Sequence, residues 1–207
     1  MRNTSMHFHK SYIFCDLSDF LGGKSMYTGS NPTALRSRAW LKDAFLDLLK
    51  EEKYSEITVT AICRRAHLSR QTFYQIFSPK DEVMHYQFSC MFIEFRRQHR
   101  DLDQMQVKEL VTASFYFFYE ERDFFQELID NGLNAFMVDE FEHYLPQISC
   151  LQATARQGQH LDYSAAYLAG AITQILIHWF QSDFSLSVEE ISGLVTAKIK
   201  GKWNKDV

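Results

Sequence analysis

Apolar residues in this chain recur three and four positions apart, the spacing that gathers one face of an α-helix. Leu41, Ala44, Phe45, Leu48 and Leu49 make one such stripe and predict a first helix over Thr33–Glu52. Val59, Ile62, Cys63 and Ala66 predict a short second helix, with Thr58 placed to cap it. His67 and Leu68 then make a tight connection, for which a left-handed His is tolerable. Ser69 is a second cap candidate, and Arg70–Phe77 reads as another short helix with Phe73 and Phe77 on its inner side. Ser78-Pro79 reads as a cap followed by proline in the first helical position. The helix it opens is expected to reach Arg100, with Met84, Phe88, Met91, Phe92 and Phe95 on its apolar face.

From Gln104 onward no strand signal interrupts the helical pattern. Val107–Glu121 is a helix crowded with aromatic residues, and the next, from Asp123 to Asp130, is stopped by Asn131-Gly132. Leu133–Leu145 follows, ended by Pro146, and a further helix is expected to about Arg156. Gly158 breaks the run before a long helix over Asp162–Ser182. Ser187-Val188-Glu189-Glu190 matches a capping box and opens the last helix, to about Lys200. Residues 1–31 fit this scheme least. They show no secretory signal, and Met26 stands where a self-sufficient chain could start.

Two short helices joined by a tight turn, the second rich in groups that bond bases and phosphates, describe a helix-turn-helix. The stretch Thr58–Phe77 also resembles the DNA-binding domain of the TetR family of bacterial transcriptional regulators. The resemblance rests on the threonine-capped helix, the turn ending in Leu68-Ser69, then Arg70, Thr72-Phe73-Tyr74, Phe77 and Lys80. It covers roughly 50 residues, and His67 stands where the family often has glycine. It implies that Tyr74, Lys80 and a hydroxyl at Thr58 or Thr60 hold phosphates. Arg70, Gln71, Thr72, Tyr74 and Gln75 are the recognition-helix candidates, since Arg and Gln can bond guanine and adenine edges in pairs. Arg36 and Arg38, at the start of the first helix, are candidates for the phosphate backbone.

The formal net charge of −4 over 207 residues argues against a nucleic-acid partner until its distribution is read. Thr33–Lys80 carries nine Lys/Arg against five Asp/Glu, so +4, while 101–207 carries seven against sixteen, so −9. A basic front and an acidic rear suit a chain that meets phosphates with one end. The four cysteines show neither zinc nor disulfide spacing, and no apolar run is long enough to span a membrane. The expected setting is a reducing cytoplasm. His7 and His9 are the one pair with metal-like spacing, and no metal or cofactor is expected.

The aromatic helix needs burial on several sides, which plain core packing would satisfy. The functional alternative is an apolar ligand chamber lined by Phe88, Met91, Phe92, Phe95, Phe115 and Phe118. His85, Tyr119, Gln174 and His178 would supply its polar groups. Ala166, Gly170, Thr173, Ile177 and Phe180 lie on one stripe of the long helix. With Leu194 of the last helix they suggest a four-helix interface in a two-fold dimer, with intramolecular packing as the alternative. A Gly/Ala-rich penultimate helix ending in Trp before a capped last helix is similar to the subgroup containing the dihydroxyacetone-kinase regulators. The chain has no phosphate loop, nucleophile elbow or metal-binding helix motif, so an enzyme is not expected.

The expected fold is therefore all-α, in three segments: an extension over 1–32, a three-helix helix-turn-helix DNA-binding domain over 33–80, and a helical ligand-binding and dimerisation domain over 81–207. The expected activity is that of a TetR-like regulator, a repressor released from its double-stranded DNA operator by a small apolar effector. The alternative is an activator or co-regulator of the same fold that works through a protein partner.

Overall fold

The computed structural model describes residues 31–148 and 161–200. The extension over 1–30, including the Met26 start and the His7/His9 pair, lies outside these residues, as does the helix expected to reach Arg156. Among the described residues every regular element is helical: α1 (Pro32–Leu49), α2 (Val59–Arg65), α3 (Arg70–Ile76), α4 (Asp81–Gln98), α5 (Val107–Glu120), α6 (Arg122–Asp130), α7 (Asn134–Tyr144), α8 (Leu161–Gln181) and α9 (Val188–Ile199). Short 3-10 turns occupy Leu102–Gln104 and Leu145–Gln147. The chain divides into two compact units, one ending at Ile93 and the other beginning at Glu94. None of the described helices is long and apolar enough to cross a membrane.

In the first unit, Asn31 caps α1 by accepting the Thr33 N–H at 3.0 Å, with Pro32 in the first turn. Leu41, Phe45 and Leu48 of α1 meet Ile62 of α2 and Phe73 of α3 in a buried core, and the three helices pack pairwise. Excluding water from those side chains contributes about 1.5–3 kcal/mol each. Two predicted features of α4 are corrected. It begins at Asp81, not at Ser78-Pro79, and it ends at Gln98. The Glu82 carboxylate accepts the Ser78 N–H at 2.7 Å.

In the second unit, α7 packs along α8 and α5 packs along α9. Gly132, at φ 68°, lets α6 end in a left-handed step, so its N–H and that of Leu133 return to the carbonyls of Ile129 and Leu128. Asp183 and Phe184 both adopt positive φ after α8, and the indole N–H of Trp179 donates to the Leu186 carbonyl at 2.8 Å. That bond fixes the connection into α9. The capping box forms there: the Ser187 hydroxyl accepts the Glu190 N–H, and the Glu190 carboxylate accepts the Ser187 N–H at 2.8 Å.

Candidate nucleic-acid interface

Two hydroxyl caps build the interface. Thr58 accepts the Ala61 N–H at 3.1 Å and starts α2; Ser69 accepts the Thr72 N–H at 3.0 Å and starts α3. Between them His67 sits at φ 54°, the left-handed conformation the tight connection requires, at a cost a His can bear. The Leu68 N–H closes the turn on the Cys63 carbonyl at 2.9 Å. Burial raises the pKa of the Cys63 thiol, with Arg70 opposing, and its sulfur packs 3.7 Å from the Ser69 carbonyl. Cys63 is therefore an inert core residue.

The outer side of α3 is then set by its inner side. Phe73 and Ile76 are buried, which leaves Arg70, Gln71, Tyr74 and Gln75 exposed and Thr72 half-buried. The Arg70 guanidinium lies 5.9 Å from the centroid of the Tyr74 ring, so the two share one patch. Thr58, Thr60 and Arg36 are exposed as well. Arg65 at the end of α2 forms a bidentate pair with Glu51, at 2.9 and 2.5 Å, which lowers the Glu51 pKa.

Two residues expected at the phosphate backbone make contacts within the unit. Arg38 is only 2% exposed, its guanidinium 4.5 Å above the Tyr86 ring of α4, so it is a core residue in this unit. Its spacing from Arg36 placed it on the same turn but one step round the helix, on the inward side. Lys80 is half-buried, and its ammonium donates to the carbonyls of Tyr54 and Ile57 at 2.5 and 3.0 Å. It also lies 4.1 Å from the Tyr54 ring centroid, and the Tyr54 hydroxyl donates to the Asp81 carboxylate. Burial, then the bond to Asp81, pushes the Tyr54 hydroxyl well above its ordinary range. Burial draws the Lys80 ammonium down, with Asp81 opposing. This cluster had no signature in the sequence, because Tyr54 and Lys80 are 26 positions apart in a loop and a turn.

The aromatic residues of the second unit pack on one another. Phe118 meets Phe115, Phe125 and Phe141 edge-on or tilted, with centroids 5.2–5.8 Å apart. Phe115 contacts Trp179, and Phe125 contacts Phe180. Gln174 and His178, expected to face a chamber, are exposed, and Tyr119 is exposed with its ring against Trp179 and Phe184. Phe95 stacks on Phe117 and His99. In the first unit Phe88 and Met91 are buried, while His85 and Phe92 are half-buried. An open groove of about 640 Å³ lies beside α5, lined by residues that include His99, Lys108, Thr112, Tyr116 and Glu120.

The expected dimer stripe also divides. Thr173, Ile177 and Phe180 are buried within their own unit, so the intramolecular reading holds for them. Ala166 and Leu194 are exposed and Gly170 is half-buried. The exposed side of α8 carries Tyr163 and Tyr167, at 78% and 64% exposure, next to Ala166. A period of 3.6 groups these residues on one stripe but does not say which of them are covered.

A family model described as a transcriptional regulator C-terminal region of the TetR class matches residues 106–201, nearly all of the second unit's described helices. The second unit therefore resembles the C-terminal region of TetR-class transcriptional regulators. The first unit carries the capped helix-turn-helix. A curated relative, the HTH-type dhaKLM operon transcriptional activator DhaS of Lactococcus lactis subsp. lactis (strain IL1403), is 28% identical over 107 residues. That match takes in 51% of this chain and 56% of the relative, so the chain spans a little over half that protein's length. A solved TetR regulator from Streptococcus agalactiae 2603V shares the fold with a TM-score of 0.63 at 19% identity, covering 81% of this chain and 95% of that one. A solved dihydroxyacetone kinase operon activator DhaS gives 0.52 at 21% identity, covering 80% and 95%.

Proposed function

We propose that this chain is a TetR-family, sequence-specific DNA-binding regulator of transcription, not an enzyme, acting as a homodimer in the cytoplasm. The observation that carries the proposal is the Ser69-capped α3, which holds Arg70, Gln71, Tyr74 and Gln75 exposed above a buried Phe73. Arg70 and Gln71 supply the donor and acceptor pairs that read base edges; Tyr74, Thr58, Thr60 and Arg36 supply phosphate bonds. A two-fold dimer presents two such helices to successive major grooves, about 34 Å apart. The exposed Tyr163, Ala166 and Tyr167 and the half-buried Gly170 of α8, with the exposed Leu194 of α9, support dimerisation through those helices. Occupying a promoter represses by exclusion and needs no further component. An effector bound in the second unit would release it by favouring another dimer geometry.

Activation through a protein partner is the second reading, and a specific observation favours it. The rings from Phe115 to Phe180, two of which were expected to line an apolar effector chamber, pack on one another within the second unit. The two DhaS proteins are named as operon activators, which agrees with that reading. Selection of bound sequences from a random DNA pool tests the shared core of both. Enrichment of an inverted repeat with half-sites one helical turn or a multiple apart is expected. Recovery of unselected DNA by a folded dimer would overturn it.

A further inference from the structure

Lys80, Tyr54 and Asp81 join the beginning of α4 to the loop that delivers the chain into α2. The Lys80 ammonium spends two of its three N–H groups on the Tyr54 and Ile57 carbonyls, and its charge faces the Tyr54 ring. Ile57 immediately precedes Thr58, the α2 cap, and is itself buried. Tyr54 is held from a second side by the edge of Phe45 on α1, with ring centroids 6.2 Å apart. Its hydroxyl reaches Asp81, the first residue of α4. The cluster therefore grips the α2 entry from α1 and from α4 together.

We infer that Lys80 is a positioning residue that, through Tyr54 and Asp81, fixes the first turn of α4 against the α2 cap and so sets the aim of α3, and that it is not a phosphate contact. The inference rests on the DNA-binding reading above and assigns one residue a different task within it. A rotation of α4 cannot leave α2 in place without breaking the two ammonium–carbonyl bonds. An ammonium swung out of the loop to reach a phosphate would give up both bonds and leave two carbonyls in a half-buried loop, where unpaired acceptors are costly. The geometry thus makes Lys80 a coupling between helix α4 and the reading head.

The two roles differ in salt dependence. A phosphate contact releases a counterion, so its loss weakens binding to every sequence and lowers the log–log salt slope by about 0.9. A positioning residue has no such term. Lys80→Met keeps the stem over Tyr54 and removes the charge. It is expected to lower affinity for the selected site at least 10-fold more than for scrambled DNA, with the salt slope unchanged. Tyr54→Phe, which keeps the ring and loses the Asp81 bond, should shift the same ratio in the same direction. An equal loss on both DNAs with a slope reduced by about one for Lys80→Met would overturn the inference. Amide exchange in the free protein supplies a readout that needs no DNA. Lys80→Met should accelerate exchange at Ile57 and Ala61, whose N–H groups bond Lys53 and Thr58. Unchanged exchange there would overturn the coupling even if the chain bound no DNA, whereas accelerated exchange without DNA selectivity in the parent would sink only the DNA-binding reading.

Discussion

The Arg38 guanidinium lies over the face of Tyr86, 4.5 Å from its centroid, and so ties α1 to α4 inside the first unit. Tyr86 also stacks on Phe77, at 5.9 Å, just past the end of α3. One ring thus receives contacts from α1 and from the residue that follows α3.

Arg38→Ala is therefore expected to act on folding. A desolvated cation–π contact contributes about 2 kcal/mol, and the lost stem adds packing. Urea denaturation should show a midpoint shift of that size, with Arg36→Ala, exposed on the same helix, nearly silent. The DNA salt slope should fall for Arg36→Ala and stay unchanged for Arg38→Ala. The reverse pattern would restore Arg38 as a backbone contact.

On α3 the division of labour predicts two classes of variant. Arg70→Ala or Gln71→Ala should lose of order 1–3 kcal/mol on the selected site and little on scrambled DNA. Tyr74→Phe removes a hydroxyl suited to a phosphate oxygen and should weaken both. Titrations on the two DNAs separate the classes, and identical losses for all three variants would refute the division.

The parts of this molecule that were legible in the sequence are those decided within a few residues. The Thr58 and Ser69 caps and the left-handed His67 depend on hydroxyls and backbone sterics close in the chain, and all three are in place. The start of α4 was misplaced although its signal was local, because Ser78-Pro79 has the composition of a cap but Glu82 takes the Ser78 N–H. Tertiary choices were not legible. Nothing in the spacing of Arg36 and Arg38 says which is covered by α4. The stripe expected on α8 divides: α7 packs along the helix, and Thr173, Ile177 and Phe180 are buried while Tyr163 and Tyr167 are left outside.

The aromatic cluster makes a stability prediction that bears on the effector question. Phe125 is 1% exposed and touches Phe118, Phe124, Phe141 and Phe180. If these rings form a packed core, Phe125→Ala should cost about 3–5 kcal/mol, as buried Phe truncations do. Phe118→Ala should cost less, because its ring is only half-buried. Thermal and denaturant unfolding measure both. A loss well under 2 kcal/mol for Phe125→Ala, outside the usual range for buried Phe, would mean that the rings line a yielding cavity, and the small-effector reading would gain.

Dimerisation through α8 can be tested at Gly170 without confusing assembly with folding. A Cβ added at Gly170 would meet nothing within 4 Å in the single chain. The first atom of a larger side chain therefore has room in the protomer, and replacing a mid-helix glycine removes a backbone entropy cost of roughly 0.5–1 kcal/mol. Gly170→Leu should leave the isolated protomer as stable as before or slightly more so. In a dimer built on this face the same side chain enters a close helix–helix approach and forces the partners apart. Tyr163→Glu with Tyr167→Glu attacks the same face by charge, at two positions already 78% and 64% exposed. Sedimentation should give a dimer for the parent chain and a monomer for both variants, and helical circular dichroism should be retained. Because assembly itself stabilises, unfolding midpoints need comparison at dilutions where the parent is also monomeric. A dimer that survives both variants would move the interface off α8.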